Sequence, residues 1–358
     1  MNPHFIKISL IELGHLFRKL GRDEEVSRNH DLHNDLFFNS LNLLTRRIPE
    51  KNPWFTPENI KQSFAYWSDA LQAEKVNKWI DDYPLERTFS PKKIGIVTAG
   101  NIPLVGLHDM LSVLVSGHKA VIKMSSQDNL LLPMIYKFLA EQNPEWKNKI
   151  EFTEGILSGI DAVIATGSNN TARYFEYYFG KYPHIIRKNR NGVAVLTGNE
   201  TEKEMEGLAD DMMLYFGLGC RNVSKIFVPK DYDLNRIFEA SLKYSHYTNH
   251  RKYMNNFRYN KAVLLMSTDE SERNNLLENG LILLKKDHRY ASPIAVIFYE
   301  EYEHPEDVKK ILLHDKDKIQ VVVSHSDIAG AIPFGKTQQP ELWDYADGVD
   351  TLEFLLSL

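Results

Sequence analysis

Cysteine is almost absent from this sequence: Cys220 is the only one in 358 residues. A single thiol excludes an internal disulfide and suits a reducing compartment. Long apolar runs are missing too. No stretch approaches the roughly 18 consecutive apolar residues of a membrane-spanning helix. The opening MNPHFIKISLIELGHLF has no basic start, unbroken apolar run or small-residue cleavage site of the kind that marks a secretory signal. The expectation is a cytoplasmic protein without a membrane span. Positive charge is not in excess: 43 Lys and Arg against 48 Asp and Glu leave a net charge of −5. Binding to a phosphate backbone needs clustered positive charge, so no nucleic-acid partner is expected. The one basic patch is IIRKNR at 185–190, read as a solvated face that could also meet a phosphorylated cofactor. There is no internal repeat, no low-complexity tract and neither a GxGxxG nor a Walker loop, and no metal site is expected.

With 43% hydrophobic and 25% charged residues, the chain has material for about two or three domains. Residues 1–90 are polar and read as helices punctuated by Pro49, Pro53, Pro57 and Pro84, with Thr56 as N-cap and Pro57 at the first helical position of one of them. From Lys93 the texture changes. Short buried strands, IGIV at 94–97, KAVIK at 119–123, DAVIAT at 161–166 and VAVL at 193–196, alternate with helical runs near 104–116, 129–142 and 170–180. That alternation is the signature of βαβ units around a parallel sheet. A helical run TEKEMEGLADDMMLYFG then leads through the cysteine into the strand KIFVP. Further strands are expected at AVLLMS (262–267), IAVIFY (294–299) and IQVVVS (319–324), forming a second α/β domain. The expected division is a helical segment 1–90, a cofactor-binding α/β domain 91–198, an α/β domain 199–336 carrying the cysteine near its start and facing the first domain, and a return segment 337–358.

Four segments besides the cysteine can carry chemistry. In TAGNIPLVG (98–106), directly after a strand, Gly100 permits close backbone approach and Asn101 offers a neutral amide donor that can stabilise an oxyanion without titrating; capping the following helix, with Pro103 in its first turn, is the alternative role for this segment. In ATGSNNTAR (165–173), Gly167 and Ser168 stand at a helix N-terminus, where unpaired amides and the dipole favour phosphate. Lys123 ends the strand KAVIK, where its charge needs a partner such as a ribose hydroxyl or a phosphate. The turn PFG at 333–335 can shape a pocket, and RYFEYYF (173–179) reads as helix packing. Cys220 itself lies between Gly219 and Arg221 and not within an apolar run, a setting of access and not of packing; a lone cysteine there is a candidate nucleophile.

Taken in order, these segments resemble the aldehyde dehydrogenase superfamily and, within it, the LuxC-like acyl-CoA reductase branch, over residues 90–358. TAGNIP is similar to the superfamily's Pro-Trp-Asn-Phe-Pro segment, KAVIKMSS to its cofactor-lysine strand, ATGS to its Thr-Gly-Ser turn, FGLGCRNVSKIFV to its nucleophile segment (with Gly217, Lys225 and Val228 at matching offsets), and PFG to its late Pro-Phe-Gly turn. The resemblance implies an aldehyde-dehydrogenase-like α/β fold, with a Rossmann-type cofactor domain, an α/β catalytic domain and a helical N-terminal segment. It also implies Cys220 as nucleophile, Asn101 in the oxyanion hole, and Lys123, Ser126, Gly167 and Ser168 on the cofactor. NADPH is the expected cofactor, with NADH as the other candidate, because the position three after the lysine, often a glutamate that repels a 2′-phosphate, is Ser126.

Two departures shape the expected activity. The superfamily's Glu-Leu-Gly-Gly segment, whose glutamate activates water, aligns near IIRKNRNG (185–192), and its Glu-x-Phe-Gly-Pro aligns near RYASP (289–293); neither stretch here holds a carboxylate. Reduction of an acyl-CoA thioester to the aldehyde is therefore expected. An aldehyde dehydrogenase, an acyl-phosphate reductase and a catalytically silent scaffold that binds an acyl donor are the alternatives. A homo-oligomer or an acyl-donating partner protein is compatible with this reading. His184 and Glu200 lie close to this segment in sequence and are candidate substitute bases.

Overall fold

Where the sequence alternates buried strands with amphipathic helices, the computed structural model, which describes residues 2–22, 32–86, 89–267 and 275–358, forms two parallel-sheet units. Unit 1 comprises residues 1–188 and 339–358, and unit 2 comprises residues 189–338.

Unit 1 begins with four helices, α1 (Pro3–Arg22), α2 (Leu32–Lys51), α3 (Pro57–Ala70) and α4 (Ala73–Asp81). The first buries Ile6, Leu10, Leu13, Phe17 and Leu20, a stripe at helical spacing. Thr56 caps α3 by accepting from Asn59 N at 3.2 Å, with Pro57 inside the first turn, as the sequence implies. The sheet follows: β1 (Lys93–Val97), α5 (Leu107–Ser116), β2 (Lys119–Lys123), α6 (Leu131–Gln142), β3 (Ile150–Thr153), β4 (Ala162–Thr166), α7 (Asn169–Phe179) and β5 (His184–Arg187). All five strands are parallel, in the order β3-β2-β1-β4-β5. The central strands read as unbroken apolar runs because both of their faces are covered. Strand order reverses at β1, so the crevice beyond the C-terminal ends of β1 and β4 is the switch point at which open α/β sheets bind ligands. The C-terminal helix Thr351–Leu356 closes this unit: His118 Nε2 meets Leu355 O at 2.8 Å, and Arg187, buried in a bidentate pair with Asp109 (2.7 and 2.9 Å), also donates to Thr351 Oγ1.

Unit 2 is built from β6 (Asn191–Val195), α8 (Glu202–Met213), β7 (Val223–Pro229), α9 (Asn235–Ser241), α10 (Arg251–Ser267), β8 (Leu276–Glu278), β9 (Leu283–Lys286), β10 (Val296–Tyr302), α11 (Pro305–His314) and β11 (Ile319–Val323). The strand order is β11-β6-β7-β10-β9-β8, parallel except for β8. The chain passes between units at residues 188 and 338, not at 198 and 336, because β6 pairs with β7 and β11. AVLLMS is not a strand. It ends α10, whose buried residues Tyr253, Phe257, Asn260 and Leu264 fall on one helical face, while Val263 and Met266 are exposed. The strands in that region are instead β8 and β9, paired antiparallel across Asn279 and Gly280. Among the described residues no helix is long and apolar enough to cross a membrane, and no group of three or more His, Cys, Asp or Glu could hold a metal ion.

Candidate active site

The C-terminal edge of the unit 1 sheet gathers five of the residues singled out in the sequence. Lys123 ends β2 in register with Val97, the last residue of β1, and Thr98 N donates to Lys123 O at 3.1 Å. Asn101 follows in the loop between β1 and α5. The helix begins only at Leu107, with Gly106 as its N-cap, so Asn101 does not cap it, and Pro103 lies in the turn before the helix. A β-carbon on Gly100 would come within 2.3 Å of Ser125 Oγ, so this loop lies directly on the turn Ser125–Asp128, at whose exposed tip Ser126 sits. Gly167 and Ser168 follow β4, and Ser168 caps α7 through Thr171 N at 3.2 Å. A β-carbon on Gly167 would press on Phe175 and Thr171, so only glycine lets α7 approach the strand this closely.

Two residues that carry no local sequence signal, Asp128 and Leu104, fix this edge. The Asp128 carboxylate accepts from the backbone N–H groups of Leu104 and Leu131, tying the Asn101 loop to the start of α6. Burial pushes its carboxyl up to about 6, partly offset by those two bonds. Leu104 is buried at φ +62, a left-handed conformation that a non-glycine residue adopts only under constraint. From the helical layer, Ser63 Oγ donates to Pro103 O (3.2 Å), Asn52 Nδ2 to Gln127 O (3.1 Å) and Lys51 Nζ to Asn129 Oδ1 (2.9 Å). On α7, Phe175 and Phe179 pack inward as helix packing requires, but Tyr174, Tyr177 and Tyr178 are exposed.

In unit 2 Cys220 is exposed in the turn before β7, at the N-terminal edge of that sheet. The turn is rigidly tied. Asn222 Oδ1 accepts from Gly219 N (2.8 Å), and Asn222 Nδ2 donates to Asp211 O (2.9 Å) and Leu214 O (3.0 Å), with Asn222 itself buried. Ahead of the turn Tyr215, Phe216 and Gly217 all take positive φ, at 54, 59 and 72°. Phe216 is held there by rings, its centroid 4.1 Å from Tyr247 and 4.4 Å from His250. Asp211, 1% exposed near the end of α8, accepts from Gly335 N (2.7 Å) and Thr337 N (3.0 Å) and so anchors the Pro-Phe-Gly turn. Burial raises this carboxyl to about 6 against the opposing pull of those bonds. Gly207, one turn earlier on α8, gives the PFG turn room, since its β-carbon would lie 2.9 Å from Gly335 N.

Neither substitute base stands at these edges. Glu200 follows β6, and β6 runs parallel to β7, so it lies at the opposite end of the unit 2 sheet from Cys220, on the order of 20 Å along the strands. Its carboxylate is locked by Thr197 Oγ1 (2.9 Å) and Gly198 N (3.1 Å). His184 opens β5 and therefore stands at the N-terminal edge of the unit 1 sheet, away from Asn101 and Lys123.

No curated protein matches the chain. Solved structures match its fold at low identity. Proline Utilization A from Corynebacterium freiburgense is 12% identical with a TM-score of 0.55; the match covers 93% of this chain, which spans 38% of that one. Indole-3-acetaldehyde dehydrogenase AldA of P. syringae, in complex with NAD+, is 12% identical at a TM-score of 0.59, over 87% of this chain and 70% of that one. An NAD+ complex of aldehyde dehydrogenase from Bacillus cereus is 15% identical at 0.56, over 84% and 69%. The fold is therefore that of the aldehyde dehydrogenases. The family model described as acyl-CoA reductase (LuxC) matches residues 72–252, which include Asn101, Lys123, Gly167 and Cys220, and the chain belongs to that family.

Proposed function

We propose that the protein reduces a fatty acyl-CoA thioester to the aldehyde through a thioacyl intermediate on Cys220. The observation that carries this reading is the setting of Cys220, an exposed thiol on a turn fixed by Asn222; the stretch IIRKNRNG (185–192), aligned with the superfamily's water-activating glutamate, holds no carboxylate. As thiolate, Cys220 attacks the thioester carbonyl, the Sγ–C bond forms, and the bond from carbon to the CoA sulfur breaks as CoA leaves as its thiolate. Asn101, an amide in a loop and not a helix cap, has the chemistry to donate to the oxyanion, as does the Cys220 backbone N–H.

The edge of unit 1 fits a nicotinamide dinucleotide: a switch point between β1 and β4, a close-packed Gly167 and the N-terminus of the 11-residue α7 beside it. Lys123, Ser126, Gly167 and Ser168 would hold it. When bound, it supplies the hydride that converts the thioacyl group to the aldehyde level. NADPH is the preferred form, because Ser126 brings no charge to the turn and Lys51, hydrogen-bonded to Asn129 beside that turn, brings a cation suited to a 2′-phosphate. The test is incubation with acyl-CoA without cofactor, followed by intact mass and peptide mapping. An acyl adduct on Cys220, absent in Cys220→Ser, is expected; a wild-type protein that stays unmodified refutes the reading.

A further inference from the structure

The residues on either side of Cys220 touch the same short segment. Arg221 Nε donates to Thr337 O, and a β-carbon on Gly219 would lie 3.3 Å from Gln338 Nε2 and 3.4 Å from its Oε1. The Gln338 carboxamide therefore lies broadside against the peptide that leads into Cys220. Its position is fixed from behind, since Asp211 grips Gly335 N and Thr337 N. Gln338 Nε2 is nevertheless buried and donates to no group among the described residues. A buried donor left without an acceptor is unfavourable, because it has given up its hydrogen bonds to water without replacing them. Native structures keep few such groups, and those they keep call for an explanation.

We infer that Gln338 is a further catalytic residue, whose amide donates to the carbonyl oxygen of the acyl group while Cys220 attacks it. This inference rests on the reading of Cys220 as the acylated nucleophile. The oxygen gains negative charge as the Sγ–C bond forms and loses it as the bond from carbon to the CoA sulfur breaks. The amide N–H stabilises that charge without transferring a proton. A neutral amide suits the role because it leaves the thiolate unopposed by a second anion, and because a hydrogen bond to a developing charge is stronger than one to a neutral carbonyl. Arg221 and Asp211 act as positioning residues that set the depth of the 335–338 segment against the cysteine turn.

The experiment compares wild type, Gln338→Ala and Gln338→Met in two reactions without cofactor: acylation by acyl-CoA, followed by rapid quench and intact mass, and alkylation by iodoacetamide. Met keeps the length and packing of Gln and removes the donor. Alkylation at a saturated carbon builds no oxyanion. Both variants are expected to acylate about 10²–10³-fold more slowly than wild type, the usual cost of one oxyanion donor, and to alkylate within about twofold of it. If both variants acylate like wild type, or if alkylation falls in step with acylation, Gln338 has no such role. A wild-type protein that forms no acyl adduct overturns the reading of Cys220 itself, and this inference with it.

Discussion

Replacing Asp211 by Asn isolates the cost of a charge built into the framework behind Cys220. The carboxylate is 1% exposed, and its ordinary value of 3.8 is raised by burial to about 6. At about 1.36 kcal/mol per unit, keeping it ionised in the folded protein at neutral pH costs about 3 kcal/mol. The sign follows from proton binding. The folded state holds this proton more tightly than the unfolded state, so stability falls as pH rises from about 4 to about 6 and is flat on either side. Asparagine has no proton to lose. It keeps one acceptor oxygen and turns an NH2 group toward one of the two backbone donors at Gly335 and Thr337, a loss of about 1–3 kcal/mol at every pH. Wild type is therefore expected to be the more stable protein at pH 4 by about 1–3 kcal/mol, with the difference moving by about 3 kcal/mol in favour of Asp211→Asn by pH 7. Urea unfolding of both proteins at half-unit pH intervals measures it. Asp128 is common to both and cancels. A stability difference that stays constant from pH 4 to 7 would show that Asp211 is not a buried carboxylate titrating near 6.

Three further outcomes test the site. Asn101→Ala should slow single-turnover acylation by about 10²–10³-fold while leaving acyl-CoA affinity and the melting temperature close to wild type, because the residue does not cap α5; an effect confined to affinity would remove it from the oxyanion role. Ser126→Glu and Lys51→Ala should each lower the NADPH-to-NADH ratio of kcat/KM by about tenfold, the worth of one modest charge interaction, and an unchanged ratio in both would place 2′-phosphate recognition elsewhere. Acyl-Cys220 held without reductant should release free acid about 10²–10⁴-fold more slowly than reductant converts it to aldehyde, since Glu200 stands at the far edge of the sheet; comparable rates in single-turnover decay would reveal a base.

The sequence made the central strands legible because IGIV, KAVIK and DAVIAT are covered on both faces and so read as apolar runs between helix signals. The edge strands IEFT and HIIR are four residues each and only partly buried, too short a pattern to separate from loop. AVLLMS misled for the opposite reason: six apolar or small residues in a row look buried, although only Leu264 points into the core. The hairpin across Asn279–Gly280 carried a recognisable turn dipeptide that the run LLENGLILLKK concealed. The sheet to which Asn191–Val195 belongs depends on pairing with β11, more than a hundred residues away, and local pattern holds no information about that. The same limit hid Asp211, whose partner Gly335 is 124 residues distant, and Gln338, whose neighbour is the backbone of Gly219. Cys220 and Asn101 stood out as candidates because residue type and loop position mark them locally.

The two units differ in how the chain visits them. Unit 2 is one uninterrupted segment, 189–338, whereas unit 1 is completed by residues 339–358. Its closing contacts, Leu342 O on His108, Thr351 on Arg187 and Leu355 O on His118, come from the last stretch of the sequence. A ribosome reading from the N-terminus has therefore delivered every residue of the cysteine-bearing unit before the dinucleotide-type sheet receives its final helix. The unit whose sheet begins first is thus the last to be completed.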